Sequence, residues 1–120
     1  MILNYRIDEI TEDTYQNAIK FAGYKNVRGY SNTFYWWHED PDTSWIWNPL
    51  HDSKHSFDLM VDGNIEVVFF EGNQADIEFI DASFSIAKYR AYGATREEFR
   101  ASVRKGILWV AGEAGRKMST

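Results

Sequence analysis

Four of the chain's five tryptophans, Trp36, Trp37, Trp45 and Trp47, fall within twelve residues. Tyr30, Phe34 and Tyr35 stand beside them, and between the two pairs runs a polar stretch, His38-Glu39-Asp40-Pro41-Asp42-Thr43-Ser44. A β-strand turns successive side chains to opposite faces. A run such as Phe34-Tyr35-Trp36-Trp37 therefore sets large rings on both sides of the strand it forms. One side enters a core, and the other has to meet a second layer, a partner, a ligand or water. Asp40-Pro41-Asp42 is turn chemistry, so residues 33–37 and 44–48 are predicted to be two strands joined there. Rings carry most of the energy in cores and interfaces alike, which makes this hairpin the leading candidate for a working surface.

The remaining elements follow from caps and periodicity. Residues 2–7 are a candidate short edge strand. Thr11 is placed to cap a helix over 12–22, with Glu12 and Asp13 at its positive end and Gly23 at its stop. Asp52 is the N-cap of a second helix over 53–61, with Phe57, Met60 and Val61 as its apolar face and Gly63 as its stop. Ile65-Glu66-Val67-Val68-Phe69-Phe70 is β-branched and aromatic on both faces, which predicts a central strand. Glu71 to Gln74 forms a turn, Ala75 to Ile80 returns as a strand, and residues 83–90 alternate again with Phe84 and Ile86 on one side. Thr95-x-x-Glu98 is a capping box that opens the last helix, whose stripe is Phe99, Val103, Ile107, Val110 and Ala114. Gly106, Ala111 and Gly112 lie near that stripe and would let the helix approach a sheet closely. The expected fold is α+β: an antiparallel sheet of three to five strands packed with two or three helices, including the long C-terminal one. At 120 residues the chain is expected to form a single domain over 1–120.

Charge and composition exclude several classes of function. The net charge is −5, from 18 acidic against 13 basic residues. Between residues 39 and 81 only Lys54 stands against a series of Asp and Glu, while the basic residues collect from Lys88 onwards. Direct nucleic-acid binding is not expected of such a distribution, because phosphates call for a basic patch. There is no cysteine, which removes thiolate metal sites and cysteine nucleophiles. No run approaches the roughly 18 apolar residues of a membrane span, and Met1 to Asp8 lack the pattern of a secretory signal.

No catalytic motif stands out. His51 and His55 are spaced i, i+4, with Asp52 and Asp58 near them, and two such imidazoles on one helix face can ligate zinc. The plainer expectation is a pair of surface histidines at a helix start, with no metal. The Glu39-Asp40-Asp42 loop is too short for an EF-hand and lacks its central glycine. No pair of carboxylates is marked out for glycoside hydrolysis, no Ser lies in a nucleophile elbow, and no Gly-rich loop is built to cradle phosphate.

Trp47-Asn48-Pro49-Leu50-His51-Asp52, followed by a short helix that ends at Gly63-Asn64-Ile65, and a closing helix from Thr95 to Ala114 with Arg100, Ala101 and Arg104, carry a likeness. Over residues 45–114 the chain resembles small tailed-phage and prophage proteins of the phage alpha-beta-alpha sandwich domain type. It departs from them in the closing helix, where Gly106, Leu108 and Trp109 replace the usual alanines and a frequent cysteine. The resemblance implies a phage or prophage accessory protein in the bacterial cytoplasm, with no enzymatic activity.

The resulting expectation is a non-enzymatic binding protein that modulates a bacterial host or phage protein and uses no cofactor. Its contact surface would use Tyr35, Trp36, Trp37, Trp45 and Trp47 as anchors, with Asp40, Asp42, Asp52 and Asp58 as a polar rim. The partner would be a protein, with host defence and nucleic-acid-handling proteins as examples, and neither nucleic acid nor membrane. Homo-oligomerisation through the hairpins stays open. The alternative is a small-molecule binder or small enzyme, for a nucleotide or glycan, in which the hairpin serves as a stacking platform.

Overall fold

Thr11 starts the first helix, α1 (Glu12–Ala22), by accepting the Thr14 N–H while the Thr14 hydroxyl accepts the Thr11 N–H at 3.0 Å. Gly23, at φ +77°, ends it in the left-handed conformation open to glycine. These bounds match the helix expected from the sequence. The computed structural model describes residues 9–25, 27–29, 36–39 and 44–118. The strand expected over 2–7 lies outside the described residues.

The aromatic segment forms an antiparallel sheet in the order β1 (Val27–Gly29), β2 (Trp36–Glu39), β3 (Ser44–Trp47). Its register sets Trp36 opposite Trp47, Trp37 opposite Ile46 and His38 opposite Trp45. The hairpin is thus present, but His38 and Glu39 belong to the strand and not to the turn. β1 was not anticipated, since three residues are too few to show a period. Val27 and Trp47 are buried, and the Trp47 ring stands edge-on to Tyr15 of α1 at 6.2 Å and to Tyr24 at 5.7 Å.

Asp52 caps α2 (Ser53–Asp62) by accepting the N–H groups of Lys54 and His55. The buried face of this helix is Ser56 and Leu59. Of the expected face, Met60 packs against the core, while Phe57 is 58% exposed and Val61 56% exposed.

A second antiparallel sheet follows, a meander of β4 (Glu66–Phe70), β5 (Gln74–Asp81) and β6 (Phe84–Tyr92). Its turns use the left-handed residues Gly72 and Asn73, then Ala82 and Ser83. Among the described residues β4 is an edge strand, not the central one its composition predicts. An apolar run marks burial on both faces only where a second strand and a second layer exist to supply it, and here Val68, Phe69 and Phe70 stay about half exposed or more.

The last helix, α3 (Arg96–Met118), crosses this sheet. Thr95 accepts the Glu98 N–H at 3.1 Å, and Glu98 answers on the N–H of Ala94 at 3.0 Å. The expected stripe is buried, except that Val103 is only partly covered. Leu108, Ala111 and Gly115 are buried as well, because α3 has covers on two sides. Gly106 faces the sheet, where a Cβ would meet Ile77 and Tyr89; Gly112 faces α1, where it would meet Thr14 at 2.7 Å. The helix runs past Ala114, and Lys117 Nζ donates to the Ile86 carbonyl at 2.7 Å. The fold is therefore α+β, with three helices and, among the described residues, two three-stranded antiparallel sheets. No helix among these residues is long and apolar enough to cross a membrane.

Candidate binding surface

Of the residues singled out from the sequence, the structure places the side chains of Trp47, Asp52 and Asp58. Trp47 is 2% exposed and belongs to the core, so its role as a contact anchor is corrected. An indole of that size is held there because Tyr15 and Tyr24 supply ring edges around it. Trp36, Trp37 and Trp45 lie on β2 and β3 in the register given above. Tyr35, Asp40 and Asp42 lie outside the described residues. Asp52 is exposed but its side chain is occupied as a helix cap; its two N–H donors hold the carboxyl below the usual carboxylate range, the His55 bond most strongly. Asp58 pairs with Lys54 one turn away at 3.0 Å.

The two histidines divide in the same way. Asn48 accepts the His51 and Asp52 N–H groups, and its own N–H donates to His55 Nδ1 at 2.9 Å. The Asn48-Pro49-Leu50-His51 segment is thus a turn pinned by His55, with Pro49 fully buried. That turn carries β3 into α2, which gives the imidazole a structural use. Among the described residues no three His, Asp or Glu groups gather to hold a metal.

What the fold does assemble surrounds β4. Strand alternation sends Val67 and Phe69 to the side of α3, where Phe69 meets the Phe99 ring at 6.1 Å. It sends Val68 and Phe70 to the opposite face of the sheet. That face has no covering layer among the described residues. Ladder register aligns Phe70, Gln74 and Tyr92 across it, and next to them Val68, Asp76 and Arg90. Tyr92 is 60% exposed. Arg90 lies over the Phe70 ring at 5.4 Å from its centroid and binds Asp76, whose carboxyl it holds below the usual range. Lys88 adds a second cation at 3.7 Å from Asp76. The surface is a mixed one: apolar at its β4 edge and charge-paired at its centre.

On the other side of β4 a groove opens between β4 and α2, with α3 as its floor. It has a volume of about 560 Å³. Phe57 and Phe69 stand at its sides, Phe99, Val103 and Ile107 form the floor, and Ser53 and Ser56 line the α2 wall. Arg96, Arg100 and Arg104 run along it at i, i+4, i+8 of α3, spanning about 12 Å at 1.5 Å per residue. Arg104 donates to the Leu50 carbonyl and the Ser53 hydroxyl, and Arg96 to the Asn73 side-chain oxygen. The arginine and apolar spacings of this helix are legible in the sequence. That α2 and β4 close a groove over them is not.

Comparison of the chain with models of protein families, with curated proteins and with solved structures finds no match. The geometry alone therefore bears on what the surface does.

Proposed function

We propose that this chain is a non-enzymatic binding domain for a protein partner, an accessory protein of the phage type its resemblance implies, working in the bacterial cytoplasm. The observation that carries the reading is β4: an apolar edge strand, unpaired on its outer side among the described residues, with Phe69 64% and Val68 50% exposed. Edge strands of soluble proteins are usually blunted by charge, proline or a cover, because an open apolar edge is a template for another strand. β4 has one charged residue, Glu66, at its start. A partner strand added there gains main-chain hydrogen bonds and meets Val68 and Phe70 on the open face of the sheet. Trp36, Trp37 and Trp45 belong to the same proposal as anchors of a second contact on the hairpin.

The test is affinity capture from bacterial lysate with three baits in parallel: the wild type, Val68→Lys, and Trp36→Ala with Trp45→Ala. A partner retained by the wild type and lost with Val68→Lys, at unchanged circular dichroism, supports the edge strand as the contact. A partner lost only with the tryptophan variant moves the contact to the hairpin. Capture that neither variant alters removes both surfaces.

A further inference from the structure

The groove between α2, β4 and α3 carries a reading of its own, independent of any partner on the β4 edge. Its volume of about 560 Å³ falls inside the range of about 300–1,000 Å³ typical of small-molecule sites. Two further observations separate it from an idle crease. The first is Ser56. It is 2% exposed, lines the groove, and its hydroxyl has no hydrogen-bond partner. A buried hydroxyl without a partner is uncommon, and the Ser56 hydroxyl does not bond back to the Asp52 carbonyl, which takes the Ser56 N–H. The second is charge. In a protein of net charge −5, three arginines border one apolar groove. Arg96 and Arg104 are bonded to neutral oxygens, and neither is paired with a carboxylate among the described residues. Arg100 meets one carboxylate, Glu97, at 3.7 Å, in a pair whose two side chains are 62% and 86% exposed. Such a pair holds an arginine only weakly.

From these features we infer that the groove binds a small amphipathic carboxylate: a hydrocarbon body carrying one anionic head. The body lies on Phe99 and Val103 between the Phe57 and Phe69 rings. The head takes the guanidinium fork of Arg100, whose planar donors match a carboxylate, and Ser56 supplies a hydrogen bond from the α2 wall. Arg104 positions this wall through Leu50 and Ser53.

Calorimetric titration of the full chain with decanoate, decanol and decyltrimethylammonium, each below its micelle concentration, tests the assignment. Expected is saturable binding of decanoate, with decanol at least tenfold weaker and no binding of the cation. Arg100→Gln alters an exposed side chain and should weaken decanoate tenfold while leaving decanol unchanged. Ser56→Ala should weaken decanoate and at the same time raise the urea midpoint of the ligand-free protein, since it removes the unpartnered hydroxyl. Equal affinity for decanoate and decanol, decanoate binding indifferent to Arg100→Gln, or no saturable binding of decanoate would each overturn the inference.

Discussion

Trp47 and Asp76 show how a side chain's surroundings decide its role. Trp47 stands next to three residues that look identical to it in the sequence, yet its ring is enclosed by Tyr15 and Tyr24. Truncating a buried ring of this size costs about 3–5 kcal/mol. Trp47→Ala is therefore expected to lower the unfolding free energy by that much, read as a fall in urea midpoint at constant slope, and a variant as stable as the wild type would return Trp47 to the surface. Asp76 lies among Arg90 and Lys88 on the open sheet face, and Arg90 above all favours its charged form. A carboxyl whose folded value is depressed stabilises the native state fully above the unfolded value of about 3.9. That stabilisation is lost as pH falls through the lower folded value. In urea titrations below about pH 4, Asp76→Asn should show a shallower loss of stability with acid than the wild type; identical slopes would mean that the Arg90 pair adds nothing.

The turn between β5 and β6 places Ala82 at φ +51° and Ser83 at φ +73°, where glycine or asparagine is the usual occupant. A non-glycine residue in this region carries a cost of about 1 kcal/mol or more. Ser83→Gly is accordingly expected to stabilise the protein by about 1 kcal/mol, read as a rise in urea midpoint at constant slope. The opposite sign holds where α1 and α3 cross. Glycine inside a helix gives up about 1 kcal/mol relative to alanine, so Gly115→Ala looks favourable from propensity. The Cβ it adds, however, would run into the backbone carbonyl of Asn17, and backbone does not yield as a side chain does. Overpacking of this kind costs about 1–3 kcal/mol, and the contact should win: Gly115→Ala lowers the melting temperature. A rise would mean that the two helices sit further apart than described.

Among the described residues, three helices and two sheets leave the sheet of β4–β6 covered by α3 on one face and open on the other. Val68 on that open face touches no core, so Val68→Lys should shift stability by no more than about 0.5 kcal/mol while reducing concentration-dependent light scattering. A large loss of stability would show that something covers β4. The helix starts were legible in the chain because Thr11, Asp52 and Thr95 act on backbone groups within three residues of themselves. The strands of the meander were legible for the same local reason, from alternation and turn residues. Burial was not. Whether Phe57, Val68 or Trp47 meets protein or water depends on which elements cross them, and those elements lie far away in the chain. Caps and apolar pattern thus settled the kinds of most elements and the starts of the helices, while long-range packing chose β4 as an edge, sealed Trp47, and brought Arg100 and Ser56 to one groove. Local hydrogen bonding is written residue by residue; enclosure is a property of the neighbours.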